Sequence, residues 1–325
     1  MTTPTGFAIF APGGRAPDDA DLARGILRLE QRGCIVRNYY DPALSCQRFG
    51  GTDEGRLAQL NAALADPEVQ VVMALRGQYG LTRLLPKIDF EAVAASGKIF
   101  VGFSDMTAFH MALMAKAGAK SYSGPMFAGD FALDNAVSFT LDNFWQCLAG
   151  PTHVIHETAA GNPSVNLSGT IWGGNLTMLV SLLGTEYFPL VEDGILFIED
   201  VNEHPYRIER MLLQLMQAGV LARQKALVIG DISGYRLSPS DHGYDMDVML
   251  AYLRSTLPLP VLTGLQFGHI PKRVTIPFGA QASLVSDSER FQLTMSDYPT
   301  IASIPAIPTI SGGSFDGSGS AMSLT

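Results

Sequence analysis

The first half of the sequence predicts an α/β fold built on an open, parallel sheet, and three observations carry that expectation. Short apolar runs recur, at Gly6-Phe7-Ala8-Ile9-Phe10, Val71-Val72-Met73-Ala74-Leu75 and Ile99-Phe100-Val101-Gly102-Phe103. Each is continuous rather than alternating, as suits a strand buried on both faces. Amphipathic segments and turn residues separate the runs, the alternation expected of strand–helix units. In such a sheet, ligands bind beyond the carboxyl ends of the strands, so the residues that follow each run are the ones of interest.

Taken in order, the first strand ends in Ala11-Pro12-Gly13-Gly14. A helix follows, opened by Asp18-Asp19-Ala20-Asp21, carrying Leu22, Ile26 and Leu29 on one face and closed by Gly33. Cys34-Ile35-Val36 resumes the extended pattern. Over residues 148–168 the texture shifts to Gly, Pro, Thr, Asn and Ser, which reads as a crossing into a second domain and takes His153 and His156 with it. That domain opens with Leu167-Ser168-Gly169-Thr170-Ile171-Trp172 and contains a strand at Gly194-Ile195-Leu196-Phe197-Ile198. A helix over residues 206–218 bears Ile208, Met211, Leu212, Leu215 and Met216 on one side, with the methionines as core filler. Two more strands are expected at residues 226–230 and 261–264. The domain division is therefore 1–150 and 165–310, with a Gly/Ser-rich tail, 311–325, expected to be mobile.

Of the 325 residues, 47% are hydrophobic and 16% charged, ordinary for a globular enzyme with a substantial core. A net charge of -9 without a basic run argues against a nucleic-acid partner. Cys34, Cys46 and Cys147 are odd in number and widely spaced, which favours reduced thiols in a reducing compartment over a disulfide framework or a zinc site. No secretory leader and no apolar stretch near the roughly 20 residues of a membrane span is read, so a cytoplasmic protein with no membrane partner is expected.

Three residues could do chemistry together. Ser104 follows an apolar run and precedes the helix-like Ala108-Phe109-His110-Met111-Ala112-Leu113, a strand–turn–helix setting that lifts a serine hydroxyl clear of a sheet. Met106 stands where the second glycine of the usual elbow would be, and Ser104 reads equally well as a helix N-cap. Glu199 emerges from the end of a buried strand, where it either orients a histidine, simply reaches solvent or caps the next helix. His269 follows the two-glycine loop Gly264-Leu265-Gln266-Phe267-Gly268, a setting that suits a general base and equally a structural histidine. The loop Arg76-Gly77-Gln78-Tyr79-Gly80 could lend a backbone N–H to an oxyanion, or be a turn into the next helix.

Several segments together resemble one family: Ala74-Leu75-Arg76-Gly77-Gln78-Tyr79-Gly80, Gly102-Phe103-Ser104-Asp105-Met106-Thr107, Ser123-Gly124-Pro125-Met126, Trp172-Gly173-Gly174-Asn175-Leu176, the stretch from Leu196 through Glu199-Asp200-Val201-Asn202-Glu203-His204-Pro205 to Arg210, and Gly264-Leu265-Gln266-Phe267-Gly268-His269. The pattern is similar to that of the LD-carboxypeptidases, from Phe7 to about Ser296. The resemblance implies a flavodoxin-like N-terminal parallel sheet, a C-terminal mixed β/α domain and a homodimer. It also implies a triad of Ser104, Glu199 and His269, an oxyanion hole from the N–H groups of Asp105 and Gln78, and no metal or organic cofactor. The implied reaction releases the terminal D-Ala from the diamino acid of a murein tetrapeptide in cell-wall recycling. Arg76, Gly77, Tyr79, Asn175 and Arg207 are the implied substrate contacts, with Arg76 or Arg207 meeting the carboxylate or else serving in a structural ion pair. Gln78 departs from the family's Arg-Gly-Gly-Tyr-Gly, and a positive φ there would carry strain. Two other readings stand beside this one: an immunity-type peptidase acting on a peptide–nucleotide antibiotic, and a non-catalytic binder of cell-wall fragments.

Overall fold

The computed structural model describes residues 4–17 and 21–301; the Gly/Ser-rich tail lies outside them, as does most of the acidic opening of the first helix. In chain order the elements are β1 (Gly6–Phe10), α1 (Leu22–Glu30), β2 (Ile35–Asn38), α2 (Asp53–Ala65), β3 (Val69–Ala74), α3 (Phe90–Ala95), β4 (Ile99–Gly102), α4 (Met106–Ala117), β5 (Ser121–Ser123), α5 (Ser138–Ala149), β6 (Thr152–Thr158) and β7 (Val165–Asn175). Then come α6 (Leu176–Ser181), β8 (Gly194–Val201), α7 (Pro205–Gln217), β9 (Gln224–Ser233), α8 (Met246–Thr256), β10 (Val261–Thr263), β11 (Ile276–Phe278), β12 (Gln281–Ser286) and β13 (Arg290–Ser296).

The expected parallel sheet is present, ordered β11-β5-β4-β3-β1-β2, with every pair parallel except β11 against β5. Its central strands are buried throughout, which is why their sequences read as unbroken apolar runs. A second sheet runs β10-β9-β8-β7-β12-β13-β6. It is parallel from β10 to β7 and antiparallel from β7 to β6. The long β7 belongs to both halves: residues 165–170 pair with β12, and residues 171–175 pair with β8.

Strand pairing does not follow the linear division of the chain. The stretch read as a crossing holds β6, an edge strand whose His153 and Ile155 point inward while Thr152, Val154 and His156 face out. The chain also returns to the first sheet at β11, after five of the second sheet's seven strands have been laid down and before β12 and β13 complete it. α4 lies where the two parts meet: residues 106–113 are all buried, and the helix packs on α3, β5, α6 and β7. A helix apolar on every side belongs between layers rather than on a surface. Its N-terminal end follows Ser104.

Candidate active site

Ser104 comes off the end of β4 at φ +62, a left-handed conformation that costs a non-glycine residue about 1–2 kcal/mol and is held only where the surroundings impose it. The N-cap of α4 is Asp105, whose side chain makes no capping bond, so the Ser104 hydroxyl is not used to start the helix. Instead Oγ lies 3.1 Å from Nε2 of His269. Nδ1 of His269 lies 2.7 Å from Oε2 of Glu199. The three side chains thus form one continuous hydrogen-bonded line across the junction of the two sheets.

Glu199 is fully buried, at 0% exposed. Its other oxygen, Oε1, accepts from Nδ2 of Asn175 at 3.1 Å, and Asn175 is its register partner on β7. Asn175 also donates to Asp200 Oδ1 at 3.2 Å and through its backbone N–H to Thr107 Oγ1 at 3.0 Å, while its Oδ1 accepts from the Met178 N–H at 3.1 Å. Asn175, expected among the substrate contacts, is buried with its polar groups engaged inside the protein, where it hydrogen-bonds Glu199. Asp200 turns away to accept from the Thr177 N–H and hydroxyl, both at 2.8 Å, with burial pushing its carboxyl above the ordinary range. The Asn175 amide is thus shared by the two adjacent carboxylates, while the Thr177 bonds go to Asp200 alone.

The glycine loop after β3 packs on Ser104. A Cβ placed on Gly77 would sit 2.9 Å from Ser104 Cβ, 3.0 Å from its Oγ and 3.6 Å from the Asp105 nitrogen, so only glycine fits there without displacing the serine. Gln78 has φ +64, the strained geometry foreseen for it. Its side chain lies over Gly14, where an added Cβ would come within 2.5 Å of its Oε1. The loop is fixed from beneath by the Asp105 carboxylate, which accepts from the Leu81 N–H at 2.8 Å, and by buried Arg56, which donates to the Gly80 carbonyl at 3.0 Å. Burial pushes the Asp105 carboxyl up to about 7, with the Leu81 N–H and Arg56 pulling the other way. Its Oδ1 is buried with no hydrogen-bond partner.

The remaining expected contacts are more peripheral. Tyr79 is half-exposed beside Phe49. Arg76 donates to the Arg15 carbonyl at 3.3 Å. Arg207 is exposed and pairs with Glu203 at 3.6 Å and with Tyr206, the structural ion-pair alternative. His110 is fully buried against the Gly102 carbonyl at 2.9 Å, and burial pushes its imidazole down to about 4. A surface hollow of about 690 Å³, lined by His156, Glu157 and Arg290 among others, shares no residue with the Ser104 line. Among the described residues no cluster of three or more His, Cys, Asp or Glu could hold a metal, and no helix is long and apolar enough to cross a membrane.

This arrangement can carry out acyl transfer. A base within hydrogen-bond reach of a hydroxyl, itself oriented by a buried carboxylate, activates the hydroxyl and stabilises the imidazolium that forms. The N-terminus of α4 adds a favourable field for a developing oxyanion.

Comparison with known proteins agrees with that chemistry. The LD-carboxypeptidase N-terminal domain matches residues 7–124 and the LD-carboxypeptidase C-terminal domain matches residues 168–284. A crystal structure of muramoyltetrapeptide carboxypeptidase from Oxalobacter formigenes is similar at 50% identity and a TM-score of 0.87, covering 91% of this chain and 100% of that one. A Bacillus subtilis (strain 168) relative named "Probable murein peptide carboxypeptidase" is 31% identical over 283 residues, 85% of this chain and 87% of its own. The microcin C7 self-immunity protein MccF of Escherichia coli is 25% identical over 279 residues, 75% of this chain and 79% of its own.

Proposed function

Because the chain belongs to the LD-carboxypeptidase family of serine peptidases, we propose that it removes the terminal D-alanine from the diamino acid of a murein tetrapeptide, with Ser104 as nucleophile, His269 as base and Glu199 as the acid that orients it. The observation that carries this reading is the hydrogen-bonded line itself, 3.1 Å from Ser104 Oγ to His269 Nε2 and 2.7 Å from Nδ1 to Glu199. In this mechanism His269 takes the hydroxyl proton as Ser104 attacks the carbonyl of the diamino acid. The N–H groups of Asp105 and Gln78 receive the oxyanion. His269 then protonates the leaving D-alanine, and water releases the shortened peptide by the same route in reverse.

MccF is also a relative of this chain, so an amide in a peptide–nucleotide conjugate is the second substrate class to weigh. The 50% identity to a muramoyltetrapeptide carboxypeptidase against 25% to MccF favours the murein peptide. Comparing kcat/KM for D-alanine release from purified tetrapeptide with that for an aminoacyl-sulfamoyl nucleoside tests the choice. A preference for the tetrapeptide of roughly 100-fold or more is expected, and the opposite order overturns the assignment. We further propose that the enzyme works in the cytoplasm as a homodimer. Three free cysteines, two of them buried, support a reducing compartment. Light scattering of the purified chain checks the dimer.

A further inference from the structure

Ser104 stands on the first sheet, while Glu199 and His269 stand on the second, so something must set the gap between them. The chain beyond His269 is bound to the first sheet's side at several points. Thr140 of α5 accepts from the Arg273 N–H at 2.9 Å and donates to the Pro271 carbonyl at 2.8 Å. Asn143, also on α5, accepts from the Thr275 N–H at 2.6 Å. Arg273 forms an ion pair with Asp130, which lies on a short π-helical turn (Phe127–Phe131), and both side chains are buried. Asp130 is itself fixed by the Met126 N–H at 2.8 Å. The Arg273 guanidinium also donates to the Ile270 carbonyl at 2.5 Å and lies 4.4 Å over the ring of Phe103, the residue before Ser104. That ring lies 5.0 Å from the imidazole of His269.

We propose that Arg273 is a positioning residue: its pairing with Asp130 and its stacking on Phe103 hold the His269 loop against the first sheet, and so set the Ser104–His269 distance. The proposal rests on the reading of Ser104 and His269 as nucleophile and base.

Stability is a poor account of this pair. Removing two charges from water is costly, and apolar replacements of both partners are often neutral or stabilising. Arg273 Nε is in addition buried with no partner, an expense that hydrophobic packing would avoid. A buried charge pair is instead suited to fixing register, because it tolerates one geometry only. Here the register is that of the base loop on the nucleophile's own strand end.

The geometry separates two couplings. Glu199 and His269 share the second sheet's side and do not depend on Arg273 for their bond; Ser104 and His269 do. The test uses Arg273→Lys and the double variant Asp130→Leu/Arg273→Met, the latter chosen because it leaves no unpaired buried charge and retains the fold. For both, kcat for D-alanine release is expected to fall roughly 10- to 100-fold with KM within about twofold of wild type. The downfield proton resonance of the His269–Glu199 hydrogen bond is expected to persist. Wild-type kcat in the folded double variant overturns the proposal, as does a rise in KM alone, which would make Arg273 a substrate contact. Loss of the downfield resonance also overturns it, since the base and acid would then have been disturbed together. A Ser104→Ala control run in parallel keeps the outcomes distinct: retained turnover there removes the reading of the site, whatever the Arg273 variants do.

Discussion

Around Ser104 the backbone is strained and closely packed, with φ +62 at Ser104, φ +64 at Gln78 and a glycine at position 77 that leaves no room for a Cβ. Around Glu199 the backbone stays in strand β8, with one register shift against β9 between Ile198 and Asp200 and no left-handed residue, and the precision comes from side chains: buried Asn175 and Asp200 and the more exposed Thr177 satisfy one another in one network. The difference follows from what each side must do. A nucleophile has to project its hydroxyl beyond a strand end with oxyanion donors beside it, which demands unusual backbone. An acid has only to hold one oxygen toward an imidazole, which a packed strand with a register partner does well.

Among changes that spare the Ser104 hydroxyl, breaking the acid side gives the larger effect. Glu199→Gln keeps shape and burial but offers the wrong group to the Nδ1–H of His269, so kcat is expected to fall by about 10³–10⁴-fold with little change in KM. A loss under tenfold, read from steady-state D-alanine release, would mean the imidazole is oriented by something else.

On the nucleophile's side, Asp105→Asn tests the support of the glycine loop, and its signature is a stability–pH curve. Asp105 titrates at about 7 in the folded chain against an ordinary value of 3.8. Its native state therefore holds an extra proton between these values, and stability falls as pH rises through that window. Buried His110 and His153, each lowered to about 4 by burial, act in the opposite sense: they cost stability as pH falls from about 6.5 to about 4. The difference between wild type and Asp105→Asn isolates the carboxyl. The variant is expected to gain on wild type by up to a few kcal/mol from pH 4 to pH 7 in urea unfolding. Activity should change less than tenfold, because the side-chain amide oxygen of the variant can still accept from the Leu81 N–H. Parallel stability curves would show that the carboxyl is not held out of water.

The same contrast explains what was legible beforehand. β1, β3, β4 and β8 are buried along nearly their whole length, so their sequences are unbroken apolar runs and were readable. β6, β12 and β13 bury one face only, and their polar alternation blends with loop composition. In hindsight Ala282, Leu284, Phe291, Leu293 and Met295 mark the inward face of β12 and β13 at a period of two. The return of β11 to the first sheet rests on three residues and has no sequence signal of its own. Ser104, Glu199 and His269 were visible as strand-end residues, each with an ordinary alternative; their mutual distances are tertiary facts. Asn175 looked like a site residue because it sits in the pattern that carries the resemblance. Only the network around Glu199 shows that it faces the acid.

The central claim is that one hydroxyl does the chemistry. Measuring D-alanine release from purified murein tetrapeptide by Ser104→Ala beside wild type tests it most directly. The geometry predicts a fall of at least about 10⁴-fold in kcat with the fold and melting temperature retained. Release within tenfold of wild type would contradict it.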